Sequence, residues 1–271
     1  MNATESALRE RIRALTDDSD RRISLARLVD RWAEAAAYNS FTTAHLLSEN
    51  SQALAAQLFA GQVPGISFWG AYPEAERKLA CFLPDYLDES MLPDLCSDTL
   101  GAVRCHYPKG SELSHRDFLG SLMGLGIKRD SVGDILIDND EGTTDIVLMQ
   151  TILPLILLEY NQASRYSLEV ERINIDDLSI PAVEAELVSG SVASLRLDAL
   201  LSLAFRVSRS TAAEIILGGR VFVNGRLMLK TDYLLDAGSK ISCQGRGRFE
   251  LLRVKGLSRK GRTIVELNVS A

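Results

Sequence analysis

The segment from residue 195 to residue 226 constrains the fold of this chain more strongly than any other part of the sequence. It reads LRLDALLSLAFRVSRSTAAEIILGGRVFVNGR. Apolar residues spaced three or four apart predict a first helix. Its apolar stripe consists of Leu197, Leu200, Leu201 and Ala204. Arg196 and Asp198 lie off this stripe. Ser208 is a favourable N-cap for a second helix, whose predicted inner face is Ala212, Ile215 and Ile216.

The same segment places glycines where the backbone has to turn. Gly218 or Gly219 supplies the left-handed residue that ends the second helix. The VFV run that follows alternates like a short strand, and Asn224-Gly225 is typical of a two-residue turn that requires positive φ. Two short helices packed on a small sheet are therefore expected.

Charge is divided unevenly along the chain. The 271 residues carry a formal charge of -6, but residues 194–271 hold 14 lysines and arginines against 6 acidic residues, which gives +8. The other 193 residues hold 16 and 30, which gives -14. A basic segment on an acidic body is typical of a module that binds a polyanion, although basic residues also occur as plain solvated surface.

The basic residues of this segment favour phosphate as their partner. Arg209 follows the N-cap, where unpaired backbone N–H groups and the helix dipole already attract an anion. Guanidinium groups add paired donors, and the glycines around the later basic residues let the backbone approach a ligand. The candidate phosphate-binding residues are Arg196, Arg209, Arg220, Arg226, Lys230, Arg246 and Arg248.

Residues 81–175 show a different pattern, in which strands and helices alternate. LGAVRCHYP, DSVGDILID, TDIVLM and SLEVERI read as strands, and LSHRDFLGSLMGLG and LPLILLEYNQA read as helices. The resulting order, βαββαβ, is that of a ferredoxin-like or RRM-like domain. The strands lack the aromatic signature with which RRM sheets stack bases, so an RNA-binding sheet and a plain scaffold stay equal alternatives.

The regions that flank this domain are interpreted as helices and a connector. LARLVDRWAEAAAY and SENSQALAAQLFA show helical spacing, so residues 1–80 are predicted to be a helical N-terminal region. Its last part, FWGAYPEAERK, predicts an aromatic turn that leads through Pro73 into a short helix displaying Arg77 and Lys78. Residues 176–193 are interpreted as a connector, or a last strand plus connector, before a C-terminal domain at 194–271. The fold class is α+β.

Several kinds of protein are excluded by simple patterns. The four cysteines and three histidines lack the spacings of a zinc site or a disulfide framework, so no metal or other cofactor is expected. The N-terminus has no apolar targeting segment, and the longest apolar run, residues 146–158, is shorter than the roughly 20 residues that cross a membrane. We expect a cytoplasmic protein without a membrane partner and, because no coiled-coil heptads occur, a monomer.

A second group of basic residues surrounds the segments HRDFLG and GLGIKR. HRDFLG has a superficial likeness to a kinase catalytic loop, but neither a glycine-rich nucleotide loop nor a DFG motif accompanies it, so we predict a helix start. The group forms either a second basic patch or plain solvated charges. Its members are Arg77, Lys78, His115, Arg116, Lys128 and Arg129.

Several C-terminal motifs together resemble an S4 RNA-binding domain. They are RLDALL, SRSTAAEII, GGRVFVNGR, the turn at residues 236–239 and the loop at residues 244–249, and they match in order over about 50 residues. The resemblance implies that the two helices and the following turn contact structured RNA. It carries that role by position to Ser208, Arg209, Ser210, Arg220, Asn224 and Gly225. Ser208 and Gly225 are explained equally well as a helix cap and a turn.

Three further segments narrow this resemblance. FWGAYPEAERK (residues 68–78), LSHRDFLGSLMGLGIKRDSVGDIL (residues 113–136) and QGRGRF resemble the YlmH family of bacterial S4 proteins, over residues 60–271. The resemblance implies a helical N-terminal part, an RRM-like middle domain and a C-terminal S4 domain. It also implies association with the large ribosomal subunit that carries obstructed peptidyl-tRNA, and assistance to quality control in which the stalled chain receives an alanine tail.

The basic C-terminal segment predicts a non-catalytic RNA-binding factor, and the resemblance implies that it binds rRNA and tRNA on the large ribosomal subunit. One alternative is an RNA-modifying enzyme of the pseudouridine synthase kind, but Asp198 lies inside the predicted S4 helix, where it supports an arginine or helix packing better than it attacks uracil. No glycine-rich cofactor loop favours a methyltransferase either. The other alternative is a scaffold linked to cell division that contacts proteins only.

Overall fold

A computed structural model of the chain describes residues 3–180, 186–243, 245–258 and 261–270. The chain divides into two compact units, residues 1–181 and residues 182–271. The N-terminal unit contains both the predicted helical region and the predicted RRM-like domain, and the C-terminal unit contains the predicted S4 domain.

Within residues 3–95, helices pack on a three-stranded antiparallel sheet with the order β1-β3-β2. The predicted helix LARLVDRWAEAAAY is confirmed: Leu25, Leu28, Val29 and Trp32 are all buried. The elements are α1 (Ala3–Leu15), α2 (Ser19–Tyr38), β1 (Thr42–Leu47), α3 (Glu49–Leu58), β2 (Gly65–Trp69), β3 (Lys78–Leu83) and α4 (Leu92–Leu95).

Two predictions for this region are wrong. β1 interrupts the stretch that was expected to be helical, and residues 70–77 form turns rather than a helix after Pro73, so that Lys78 begins β3. Both strands lie between two layers of protein. Leu46 and Leu47 of β1 are both buried, and the last five residues of β3 are all buried. A strand covered on both faces shows no alternation of apolar and polar residues, which is the signal that sequence analysis relies on.

The middle of the N-terminal unit confirms the βαββαβ order. The four strands pair antiparallel in the order β5-β6-β4-β9, and a two-stranded hairpin, β7-β8, precedes the last strand. The elements are β4 (Leu100–His106), α5 (His115–Gly124), β5 (Val132–Asp138), β6 (Thr143–Met149), α6 (Leu153–Glu159), β7 (Gln162–Ala163), β8 (Tyr166–Ser167) and β9 (Glu169–Ile173). HRDFLG begins α5, as predicted.

The two sheets of this unit pack face to face. Leu79 and Cys81 of β3 share a buried cluster with Val147 of β6. The opposite face of β3, represented by Phe82, packs on the N-terminal helices, and Phe118 of α5 covers the far face of the middle sheet. The face that stacks bases in RRM proteins is therefore partly covered by the N-terminal sheet.

An ion pair occupies another part of that face. Arg104 of β4 donates from Nε and Nη2 to the two carboxylate oxygens of Asp145, each at 2.7 Å, and Asp145 is 1% exposed. The backbone N–H of Ser179 donates to the same carboxylate at 2.7 Å, so the segment after β9 covers the pair. These contacts favour the scaffold alternative for the sheet.

The C-terminal unit confirms the predicted pair of short helices. Residues 186–243, 245–258 and 261–270 form a six-stranded sheet with the order β10-β15-β14-β13-β11-β12. The predicted stripe from Leu197 to Ala204 is buried, and Gly219, with φ of 70°, is the left-handed residue after the second helix. The elements are β10 (Glu186–Val192), α7 (Leu197–Ala204), α8 (Arg209–Leu217), β11 (Val221–Val223), β12 (Arg226–Leu227), β13 (Lys240–Cys243), β14 (Gly247–Leu257) and β15 (Thr263–Ser270).

The connector predicted at residues 176–193 contains a strand of this sheet. β10 pairs with β15 over its whole length, from Glu186 to Val192, while residues 181–185 lie outside the described residues. Gly190 faces α7 so closely that a Cβ atom there would lie 2.6 Å from Leu203 Cδ1. The small residues that resemble a linker in the sequence are thus required by close packing of a helix on a strand.

Gly133 of β5 provides a test of how tightly the two strands β5 and β6 pack. A Cβ atom there would lie 2.9 Å from Val147 Cβ. We expect Gly133→Ala to lower the free energy of unfolding by about 1–3 kcal/mol, because extra atoms in a packed core force shifts. Urea denaturation of the full chain measures the change.

Gly120 is the matched control, because it is exposed in α5 and a Cβ atom there meets nothing within 4 Å. Gly120→Ala should raise stability by about 0.5–1 kcal/mol through better helix propensity. Equal effects of the two substitutions would contradict the packing described here.

Candidate nucleic-acid interface

Asp198, in the first turn of α7, holds two of the candidate basic residues together. Arg196 Nε lies 3.3 Å from Asp198 Oδ1, and Arg209 pairs with Oδ2 of the same carboxylate. Asp198 is only 6% exposed. Burial by itself raises the pKa of Asp198, but hydrogen bonds from Arg209 and Arg196 outweigh it and hold the pKa below its ordinary value. Sequence analysis assigned Asp198 to supporting an arginine, and this is confirmed.

The Asp198 cluster, defined as Arg196, Asp198 and Arg209, keeps a positive charge. Two guanidinium groups share one carboxylate, so the sum is +1. The Arg209 side chain remains 53% exposed despite its partner. A guanidinium that is fixed by an acid on one side and open to solvent on the other is prepared for a phosphate, because less side-chain freedom is lost on binding.

Lys230 lies in a loop that packs against the same end of α7. The backbone N–H groups of Leu197 and Asp198 donate to the carbonyl oxygens of Tyr233 (2.8 Å) and Thr231 (3.1 Å). Lys230 is exposed in that loop, and no ion-pair partner for it occurs among the described residues. The N-terminal end of the helix pair therefore gathers three of the candidate cations.

A second basic group lies beyond the other end of α8. Val221 pairs with Cys243, and Cys243 pairs with Gly247 across the hairpin that carries Arg246. Burial raises the pKa of Cys243, and the nearby positive charges of Arg246 and Arg220 offset only part of this increase. Both guanidinium groups therefore lie near that thiol. We call Arg220, Arg246 and the neighbouring Arg248 the Arg220 group.

Arg220 and Arg246 are exposed, and neither forms an ion pair with any residue that the structure describes. α8 has 9 residues, which corresponds to a length of roughly 13 Å. The candidate phosphate-binding residues of the C-terminal segment thus form two groups, one at each end of α8.

The remaining candidates in this unit have clear structural roles. The Ser208 hydroxyl accepts a hydrogen bond from the Thr211 N–H at 3.0 Å and so caps α8, and it lies 2.8 Å from the Ser210 hydroxyl. Asn224 and Gly225 form the tight turn with φ of 49° and 73°, and the Asn224 side chain accepts from the Lys240 N–H at 2.9 Å. Arg226 follows on that turn and is exposed. Contact of these residues with RNA stays a prediction.

The second predicted patch divides into structural and exposed residues. Arg77 donates to the carbonyl oxygens of Val132 (2.7 Å), Leu46 (3.0 Å) and Arg129 (3.0 Å), and burial, followed by the charge of Arg129, lowers its pKa to about 10. Arg129 in turn donates to Val132 O at 2.7 Å. These two guanidinium groups tie the N-terminal sheet to the middle domain and are not open to a ligand as plain surface charges are.

The other members of that patch differ in exposure. His115 is exposed at the start of α5, but partial burial of its ring, followed by the positive charges of Arg129 and Arg77, lowers its pKa and so favours the neutral form. Arg116 and Lys128 are exposed, and Lys78 is half-buried at the start of β3. Only Arg116 and Lys128 therefore keep the exposed positive charge that the predicted second basic patch requires.

Asp134 is the residue of this region that sequence analysis missed. Its carboxylate accepts from the Tyr72 hydroxyl (2.8 Å) and from the backbone N–H groups of Glu76 (2.8 Å) and Arg77 (3.0 Å). Two motifs that were singled out separately, FWGAYPEAERK and KRDSVGD, thus contact each other directly. The signal available in the sequence was the position of Asp134 between Gly133 and the apolar residues Ile135, Leu136 and Ile137 of β5.

The described residues contain neither a cluster of metal ligands nor a membrane-spanning helix. Over residues 3–180, 186–243, 245–258 and 261–270, no three His, Cys, Asp or Glu side chains are grouped as a metal ion requires. No helix in those ranges is long and apolar enough to cross a membrane.

The Asp198 cluster predicts a pH-dependent contribution to stability. Because the folded-state pKa of Asp198 lies below 3.8, its pairing stabilises the fold above about pH 4 and is lost as the pH falls through the folded-state value. Asp198→Asn should lower the free energy of unfolding at pH 7 by about 1–3 kcal/mol. Urea denaturation at pH 7 and near pH 3 should show that the gap between variant and wild type closes in acid; a constant gap would contradict the pairing.

Two family models match the chain. The model described as "Putative RNA-binding domain in YlmH" matches residues 99–177, and the S4 domain model matches residues 195–241. The first covers the βαββαβ domain, and the second covers α7, α8 and the β11-β12 turn with the Asp198 cluster. These two matches mark the chain as an RNA-binding protein.

Comparison with known proteins extends the match over most of the chain. Ribosome-associated protein quality control protein P2 of Bacillus subtilis (strain 168) is 32% identical over 197 residues, which cover 72% of this chain and 74% of that protein. The solved structure of cell division protein ylmH from Streptococcus pneumoniae aligns with a TM-score of 0.50 at 18% identity, over 61% of this chain and 97% of that one, and shares its fold. The chain therefore belongs to the YlmH family of S4-domain proteins.

Proposed function

We propose that the C-terminal unit binds structured RNA of the large ribosomal subunit, together with tRNA, and that the chain serves ribosome-associated quality control without catalysing a reaction. The observation that carries this proposal is the arrangement of cations at the two ends of α8. The Asp198 cluster presents a fixed, half-exposed Arg209, and Arg220 and Arg246 are exposed and have no acidic partner among the described residues.

The spacing of these two groups suits a nucleic-acid backbone better than a single anion. Duplex RNA offers a row of phosphates, and cations beyond opposite ends of a helix roughly 13 Å long contact different phosphates along it rather than one ligand. The helix N-terminus beside Arg209 adds backbone donors to the same row. The name of the Bacillus relative supports the ribosome as the place of binding.

The enzyme alternative finds no support at Asp198. A carboxylate engaged by two arginines in the first turn of a helix is held as a structural anion rather than presented to a base. An RNA-modifying reaction would change the mass of nucleotides in ribosomal RNA incubated with the protein, and the non-catalytic proposal predicts no such change.

The Arg220 group provides the direct test of the RNA-binding face. We expect the double variant Arg220→Ala, Arg246→Ala to bind ribosomal RNA more weakly, with the slope of log K against log salt reduced by about 2, because each lost phosphate contact removes about one unit. If the wild-type face neutralises about five phosphates, its own slope should be about -4. Filter binding of the full chain between low and moderate salt measures both slopes.

The matched control removes two positive charges elsewhere. Arg13 is exposed in α1, and Lys109 is exposed beside Glu141. Arg13→Ala, Lys109→Ala should leave the slope unchanged. Equal slopes for the two double variants would remove the Arg220 group from the interface, and binding that nuclease treatment does not abolish would favour the scaffold that contacts proteins only.

A further inference from the structure

A cleft of about 710 Å³ lies inside the N-terminal unit, and Lys78 is the one residue of the predicted second basic patch that lines it. It opens where the N-terminal sheet meets the edge of the middle sheet. Its walls are the end of β2 with the loop that follows, the start of β4, α4, and the segment where β9 ends. The volume falls in the range of roughly 300–1,000 Å³ that is usual for small-ligand sites.

Aromatic side chains form one wall of this cleft. Trp69 and Tyr72 line it and are half-buried, whereas the neighbouring Phe68 packs against the N-terminal helices on the other face of β2. They belong to the FWGAYP motif, whose aromatic character the S4-type function leaves unexplained. RRM domains place such rings on their sheet; here the middle sheet has none on its covered face, and the neighbouring sheet supplies them at its edge.

The loop that follows Trp69 and carries Tyr72 is held in place. The Tyr72 hydroxyl donates to Asp134 at 2.8 Å. Gly70 packs so tightly that a Cβ atom there would lie 2.4 Å from Ala75 Cβ, and Ala75 is 5% exposed. A wall fixed in this way loses little freedom when a flat ring stacks on it.

Two cations face the same cleft. Lys78 starts β3, and Arg172, which is exposed, lies on β9 opposite Val103. No ion pair joins either of them to another residue in the described ranges. Asp94 and Asp176 also line the cleft, so its charges balance. That balance disfavours a run of phosphates and fits a ligand that combines one flat ring with a single charge and hydrogen-bonding edges.

We propose that this cleft binds one unpaired nucleotide of an RNA, with the base against the aromatic wall and its phosphate near Lys78 and Arg172. Stacking on aromatic rings beside cations is how proteins hold single-stranded RNA, and it tolerates any base because every base has a flat face. The site deepens the proposed function and rests on RNA being the partner, since the C-terminal unit would hold structured RNA while the cleft takes a base outside a helix.

Tryptophan fluorescence gives a direct readout of this cleft. The chain has two tryptophans, and Trp32 is 3% exposed with its Nε1 donating to Pro64 O at 3.1 Å, so Trp69 reports on the cleft. The probe is a ten-nucleotide single-stranded oligo(A) RNA, titrated into the full chain that carries Arg220→Ala, Arg246→Ala. A blunt RNA duplex of the same length is the comparison.

Saturable quenching by the single strand and not by the duplex is the expected result. Trp69→Phe should abolish the fluorescence signal. Arg172→Ala, at an exposed position, should weaken binding on the order of tenfold, and the double variant Lys78→Ala, Arg172→Ala should bind more weakly than Arg172→Ala alone. Arg13→Ala, Lys109→Ala should match the parent protein. Circular dichroism and urea midpoints confirm that each variant is folded.

Absence of quenching, equal quenching by the duplex, or quenching that Arg172→Ala leaves unchanged would overturn the cleft proposal. The proposed function of the C-terminal unit is judged separately, by the salt slope of structured RNA binding. A protein with normal structured RNA binding and no quenching would lose the cleft alone, and one with quenching but a salt slope insensitive to Arg220→Ala, Arg246→Ala would lose the C-terminal interface alone.

Discussion

Buried carboxylates matched by nearby donors hold both units of this protein in shape. Asp134, Asp145, Asp198 and Glu266 are each no more than 9% exposed. Asp145 is paired with Arg104, Asp198 with two arginines, and Glu266 with Arg253 and Lys255, while Asp134 accepts from a hydroxyl and two backbone N–H groups. A buried charge without partners is strongly unfavourable, so each carboxylate dictates where its donors lie.

This arrangement explains how a chain with a formal charge of -6 presents exposed cations on its C-terminal unit. In the C-terminal unit the buried acids fix particular arginines and leave an excess of positive charge, because Asp198 and Glu266 are each shared by two cations. Arg220 and Arg246 lie beyond those acids and are open to solvent. In the N-terminal unit, two arginines are held inside the structure instead. Arg77 and Arg129 donate their hydrogen bonds to backbone carbonyl oxygens, so they do not add exposed positive charge to this acidic unit.

The parts of the fold that sequence analysis predicted correctly are those with local signals. Ser208 caps α8, Gly219 ends it, and Asn224-Gly225 forms the turn, because each depends on residues within a few positions. The strands β1 and β3 were missed, and β10 was only one of two alternatives, because their composition is set by distant layers: β3 is covered on both faces, and Gly190 is small because Leu203 packs on it. The contact between Asp134 and the loop of Tyr72 joins residues 62 apart, and no local pattern reports such a contact. The division of the candidate arginines into two groups could not be predicted from sequence, because it depends on which arginines form ion pairs with Asp198.

We propose that cations at the two ends of α8 contact structured ribosomal RNA and tRNA. Ultraviolet crosslinking of the full chain to RNA in cells, followed by sequencing of the attached RNA and identification of the crosslinked peptides, tests it most directly. We expect large-subunit rRNA and tRNA attached to peptides that contain Arg209 and the Arg220–Arg246 region. Crosslinks absent from the C-terminal unit, or confined to other classes of RNA, would contradict it.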